Sequence, residues 1–303
     1  MQHTVAGLVP ILATPFHADG SLDLAGLARL TRFQLDSGVD GVATFGMASE
    51  GFALTAEERE QIMTTIVDVV AGAVPVVAGV NGTSTVTALE QARAAEALGA
   101  QALMVLPPFM VKPSPAQLVD FYGDLASAVS TEIMVQDAPG VTGVAMAPAL
   151  VAQLSALDRV TSVKVEAPPT APKTKAIADL VPAEFAVLGG QNAQFVIEEY
   201  ARGAVGTMPA CEFPDLLRPV LADFTAGRRA EARAAFARLT PLILFGLQPG
   251  IAWAVHKEVL VRRGIIEHTT VRSPAAVLDE ASRESLHAIL DELALPSVAV
   301  GAR

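Results

Sequence analysis

The sequence predicts an α/β fold: a closed (β/α)8 barrel followed by a C-terminal helical extension. Short Val/Ala/Ile/Leu runs alternate with longer stretches whose apolar residues recur every three or four positions, the pattern of buried parallel strands covered by helices. Strand starts recur at spacings of about 24 to 35 residues through most of the chain, without a low-complexity linker, which favours one closed barrel over two domains. From residue 228 onward the pattern turns purely helical.

In chain order the expected strands are 8–13, 39–45, 74–80, 101–106, 132–136, 160–166, 185–189 and 204–208. Between them lie helix patterns at 23–37, 55–71, 84–98, 115–129, 146–157, 171–180, 191–202 and 212–226. The third helix has Thr83 or Ser84 to cap its start and Gly99 to end it. Residues 228–247, 250–264 and 273–293 read as three further helices, the middle one carrying Trp253 on a nearly continuous apolar face suited to burial against the barrel or a partner subunit. The expected division is a catalytic barrel over 1–227 with C-terminal helices over 228–303 packed on it. A doubly wound sheet would want a glycine-rich phosphate loop after a strand; Gly79-Val80-Asn81-Gly82 lacks the spacing and the lysine, and reads as a tight turn.

Composition narrows the partners. With 303 residues, 51% of them hydrophobic, the chain can bury a full core, and a net charge of -11 without a basic block argues against nucleic acid. The expected partner is a small molecule. One cysteine, Cys211, rules out an intrachain disulfide and a thiolate metal cluster. Pro10 and Pro15 interrupt the opening segment, and the apolar stretch at 69–80 falls short of the roughly 18 to 20 residues a membrane span needs. A cytoplasmic protein without membrane contact is expected. The five histidines form no HxH or HExxH motif, so no metal is expected, and no G-x-S-x-G elbow points to a serine hydrolase.

The five lysines are Lys112, Lys164, Lys173, Lys175 and Lys257, and only Lys164 falls inside a strand pattern, VTSVKVE. Burying an unpaired ammonium is expensive, and an amine held in such a place can form an imine with a carbonyl. A strand-end lysine reaching back to solvent is the plain alternative. In a barrel, however, the carboxyl end of a strand faces the active site, and alternation puts Ser162, Lys164 and Glu166 on one face. Glu166 is then the first candidate for moving protons, or else a structural partner of Lys164. Three other strand ends bring polar groups to the same rim: Gly46-Met47-Ala48-Ser49-Glu50-Gly51, Gln136-Asp137 and Gly189-Gly190-Gln191-Asn192. Each alone reads as an ordinary turn; their convergence is the signal.

At this point the chain resembles the dihydrodipicolinate synthase and N-acetylneuraminate lyase superfamily. The resemblance rests on G-L-V-P-I-L-A-T-P-F at 7–16, L-T-x-x-E-R at 54–59, P-P-F at 107–109 followed by Lys112 and Pro113, A-P-G-V-T-G at 138–143, the strand-six Lys164, and G-A-V-G-T-M at 203–208. It implies a TIM barrel with three C-terminal helices, a homotetramer or homodimer, and a Schiff base between Lys164 and a 2-oxo acid, with no cofactor. By position the family's carboxylate-binding Gly-Thr-Thr-Gly-Glu loop falls on Gly46-Met47-Ala48-Ser49-Glu50, with both threonines lost and Ser49 the remaining hydroxyl.

Two further departures matter. The proton-relaying tyrosine of classical members is replaced by Gln136, and the arginine that anchors the second substrate's carboxylate by Val141; a tyrosine contributed by a neighbouring subunit falls near Met110. The variant pattern, S-E-x-F-x-L at 49–54, V-Q-D-A-P at 135–139, K-V-E-x-P at 164–168, Gly189-Gly190 and G-x-x-G-T-M-P at 203–209, resembles the branch that dehydrates 2-keto-3-deoxy sugar acids such as 2-keto-3-deoxyarabonate. The expected catalytic set is Lys164, Glu166 and Gln136, and the expected substrate-binding set Ala48, Ser49, Glu50, Asp137, Gly190, Gln191, Asn192 and Thr207. The expected reaction is dehydration to 2-oxoglutarate semialdehyde. The alternatives are a class I aldolase releasing pyruvate, dihydrodipicolinate synthesis, and a non-enzymatic barrel that binds a sugar acid as a regulator.

Overall fold

Each of the eight apolar runs supplies a parallel strand in the computed structural model, which describes residues 3–298. In order they are β1 (Gly7–Leu8), β2 (Val42–Thr44), β3 (Val76–Val80), β4 (Ala102–Val105), β5 (Glu132–Asp137), β6 (Val160–Val165), β7 (Ala186–Gly189) and β8 (Gly206–Thr207). The sheet runs β1-β8-β7-β6-β5-β4-β3-β2. Its two ends meet where Ile11 bridges both Ala43 and Ala210 and the Leu12 N–H donates to Ala43 O at 2.8 Å, so the sheet closes into a barrel without a free edge. β1 is shorter than the run at 8–13 because Pro10 has no N–H to give the ladder.

Helices α1 (Leu24–Asp36), α2 (Ala56–Val70), α3 (Thr85–Ala97) and α4 (Pro115–Ala128) follow the first four strands. The Asp23 side chain caps α1, and the pairs Thr55/Glu58, Ser84/Thr87 and Ser114/Gln117 form reciprocal capping boxes on the other three. Around the second half lie α5 (Pro139–Thr142), α6 (Pro148–Leu154), α7 (Thr170–Ala178), α8 (Val196–Tyr200) and α9 (Pro214–Thr225). The expected helix at 191–202 is broken: Gln191, Asn192 and Ala193 all adopt the left-handed region, and only then does α8 begin. The one-turn α5 was not expected from periodicity.

Two apolar layers result. Met104, Met134, Leu188 and Met208 fill the barrel interior with Val9, Ile11, Ala43 and Val77. Ile133, Val135, Val163 and Val165 face outward into the layer shared with the helices. Beyond the barrel come α10 (Arg229–Phe245), α11 (Ala252–Arg262) and α12 (Glu280–Leu293). α12 begins seven residues later than the apolar pattern suggests because Asp279 is its cap, accepting the Ser282 N–H at 2.7 Å. Residues 254–260 of α11 are all buried, against the barrel rather than a membrane. Among the described residues no helix is long and apolar enough to cross a bilayer.

Candidate active site

Strand register decides which polar side chains enter the barrel. Ser162 pairs with the interior Met134, and Lys164 pairs with Gln136 on one side and the interior Leu188 on the other, so Gln136, Ser162 and Lys164 point inward. Lys164 is only 2% exposed. Its Nζ lies 3.2 Å from Glu166 Oε1, while Gln136 Nε2 donates to Glu166 Oε2 at 2.8 Å. One carboxylate is thus shared between the amine and the amide.

The turn after β7 holds that carboxylate in place. The Gln191 N–H reaches Glu166 Oε1 at 3.4 Å and its Nε2 donates to the Glu166 carbonyl at 2.8 Å. A Cβ at Gly190 would overlap Glu166 Cγ, so the bare backbone there is what leaves Glu166 room. Gln191 therefore spends its side chain on Glu166. Asn192 accepts the Ala210 N–H at 3.0 Å, tying the turn to the chain beyond β8.

Four of the expected binding residues are directed elsewhere. Asp137 pairs in register with the outward Val165 and meets Lys173 of α7 at 2.5 Å, so it belongs to the helix layer rather than the mouth. Burial holds its carboxyl above the usual range despite Lys173. Thr207 pairs with Gly189 and Leu8, one position out of phase with the interior Leu188 and Met208, and also faces outward. Glu50 adopts the left-handed region and turns its carboxylate to Lys257 Nζ at 2.5 Å, with the Arg272 N–H at 2.8 Å on the other oxygen. The Ser49 hydroxyl donates to Leu12 O at 2.5 Å, so its proton is committed within the chain. What the turn at 46–49 offers inward is backbone: Met47 and Ala48 head a short 3-10 turn, Ala48 rests against the interior cluster, and Gly46 has Ile11 and Met104 where a side chain would be.

Gly46 and Met47 of this turn, together with Gln136, line a cavity of about 460 Å³. Asn81 and Gln91 add amides, and Phe52, Leu106, Phe109 and Val141 are among the apolar residues of its wall; among the described residues no lysine or arginine lines it, so Lys164 and Glu166 meet this cavity through Gln136. α11 backs the turn. The Trp253 Nε1–H donates to Met47 O at 2.5 Å and its ring meets Phe52 edge-on, 5.2 Å between centroids.

Sequence reasoning expected Trp253 to be buried against the barrel or a partner subunit but missed that it, Lys257 and Arg272 bond the turn at 46–50. The available signal was Glu50, a carboxylate flanked by small residues in a turn that needs a cation. It also missed Glu199, whose burial pushes its carboxyl up to about 7 although the Thr170 hydroxyl donates to it at 2.5 Å.

The chain matches the family described as Dihydrodipicolinate synthetase over residues 4–293. It is 33% identical over 299 residues to the L-2-keto-3-deoxyarabonate dehydratase of Azospirillum brasilense, covering 95% of this chain and 96% of that protein. It is 31% identical over 288 residues to the 4-hydroxy-tetrahydrodipicolinate synthase of Methylococcus capsulatus, covering 93% and 96%. The crystal structure of YagE, a prophage protein of the dihydrodipicolinic acid synthase family from E. coli K12 in complex with pyruvate, superposes with a TM-score of 0.89 at 28% identity, covering 96% of this chain and 99% of that one. The chain belongs to the dihydrodipicolinate synthetase family, and it is a lyase-type enzyme of the class I, Schiff-base-forming group that acts on 2-oxo acids.

Proposed function

We propose that Lys164 is the imine-forming amine and that the protein dehydrates a 2-keto-3-deoxy sugar acid, of which 2-keto-3-deoxyarabonate is the leading case. The observation that carries this reading is the Lys164–Glu166–Gln136 arrangement: a carboxylate stands beside the amine, and an amide occupies the place of the relay tyrosine. An amide cannot take a proton from a C4 hydroxyl, as retro-aldol cleavage requires, whereas a carboxylate next to the imine carbon can take one from C3.

Lys164 condenses with the C2 carbonyl and releases water, and the protonated imine acidifies C3. Glu166 takes the C3 proton; the resulting enamine expels the C4 hydroxyl, which leaves as water on receiving a proton. Hydrolysis of the conjugated imine frees Lys164, and tautomerisation yields 2-oxoglutarate semialdehyde from a five-carbon substrate. The Met47 and Ala48 N–H groups hold the C1 carboxylate, a task for which Ser49 is not free, its N–H being bonded to Gly46 O and its hydroxyl to Leu12 O. Gln136 and Gln191 act through Glu166 by fixing its two ends. The A. brasilense dehydratase is the relative whose named activity agrees.

A second reading is favoured by the other relatives, most of which are named as 4-hydroxy-tetrahydrodipicolinate synthases: the same enamine would join or release an aldehyde carbon. Against synthesis of a dicarboxylate stands Val141, on the cavity wall at the anchoring arginine's position. Product analysis separates the two. With 2-keto-3-deoxypentonate the purified enzyme is expected to form 2-oxoglutarate semialdehyde and little pyruvate. Stoichiometric pyruvate release would replace dehydration by aldol cleavage, and consumption of pyruvate with aspartate semialdehyde would establish the synthase.

A further inference from the structure

Lys257 is fully buried and far from Lys164 in the sequence, yet it is wired to the cavity wall. Its Nζ contacts Glu50 Oε1 at 2.5 Å, donates to Thr270 O at 2.6 Å and lies 4.2 Å from the centroid of the Phe16 ring. Arg272 lies close by, its guanidinium 4.2 Å from the same ring and paired with Glu58 at 2.6 Å. One helical turn earlier on α11, Trp253 holds Met47 O. The turn at 46–49 is therefore clamped by α11 at both ends, at the Met47 carbonyl and at the Glu50 side chain. Glu50 and its left-handed backbone end that turn.

We propose that Lys257, through Glu50 and together with Trp253, is a positioning residue that fixes the turn at 46–49 for the carboxylate of a 2-oxo acid, making the C-terminal extension part of the binding machinery. This rests on the reading that Lys164 forms an imine with such an acid at that wall. Burial depresses the Lys257 ammonium to about 8 even beside Glu50.

The test uses the full-length enzyme, with pyruvate and methyl pyruvate as probes trapped on the protein by borohydride and read by intact mass. Two variants limit the risk of misfolding: Lys257→Met combined with Glu50→Gln, which leaves no orphaned charge, and Trp253→Phe, which keeps the ring and loses only the N–H. Circular dichroism and Tm confirm the fold. For the double variant the half-saturating pyruvate concentration is expected to rise about tenfold or more, and for Trp253→Phe about threefold or more, the scale of one displaced charge-assisted or neutral hydrogen bond. The trapping rate at saturation and the half-saturating methyl pyruvate concentration should stay near wild type, since the ester lacks the anion. Lys257→Arg should restore part of the pyruvate affinity. Folded variants whose pyruvate half-saturation does not move, or moves equally for the ester, would overturn the positioning role while leaving the imine intact. Wild-type enzyme that takes up no adduct would instead remove the imine reading, and the positioning role with it.

Discussion

Gln136 and Glu166 are joined by an amide N–H donated to Oε2 at 2.8 Å, and that bond leaves the opposite oxygen facing Lys164 Nζ. The amide donates and is no base, so within the proposed reaction its contribution is to orient the carboxylate.

Lys164 is the residue whose loss should be complete. Lys164→Ala is expected to abolish both turnover and the borohydride adduct with pyruvate, with peptide mapping of the wild-type adduct placing the added mass on Lys164. Mapping to Lys112 or Lys173 instead would reassign the nucleophile.

Replacing the carboxylate should divide chemistry from capture. Glu166→Gln is expected to retain the adduct while lowering turnover by roughly 10²-fold or more, the usual scale for a lost acid–base group. Steady-state rates alongside trapping on the same preparation check this; undiminished turnover would move the base elsewhere.

A side chain at Gly190 should act at a distance from the amine. Gly190→Ala puts a methyl group where Glu166 Cγ now lies and displaces the carboxylate from Lys164. The expected result resembles Glu166→Gln in turnover, with the adduct retained and Tm little changed, because a side chain rather than backbone must give way. A large fall in Tm with kcat preserved would mean that Glu166 stayed and the β7 turn moved.

Glu199 is expected to make stability depend on pH. Its folded value of about 7 lies above the model-peptide value of 4.5, so the stability linked to its protonated form is present in full below about pH 4.5 and is lost as pH rises to 7. Glu199→Gln keeps the shape, accepts from Thr170 through its amide oxygen and carries no charge to desolvate. Its Tm should exceed that of wild type by more at pH 8 than at pH 5, as measured by differential scanning calorimetry; parallel pH dependences would show that Glu199 does not carry the effect.

The fold was legible because buried parallel strands announce themselves as apolar runs between turn residues, and Lys164 stood out as a lysine inside one of them. Strand parity was also legible for Glu166 and Gln136, two residues apart from or directly beside Lys164. The same parity argues against Asp137, which neighbours Gln136 and so must face the other way, and against Thr207 between the interior positions Gly206 and Met208. What sequence could not convey was commitment. The Ser49 hydroxyl, the Glu50 carboxylate and the Gln191 amide each look available to a ligand, and each is already bonded to Leu12, Lys257 or Glu166. Nor does a helix pattern tell that its one buried lysine answers a carboxylate some two hundred residues away.

Trp253 is the only tryptophan in the chain, and its indole N–H is bonded to the carbonyl of Met47. The protein thus carries a native fluorophore at the edge of its own cavity, with no second indole to obscure the signal. Emission wavelength and quenching by acrylamide therefore report on that wall alone, in unlabelled protein and in real time, as a ligand enters or leaves.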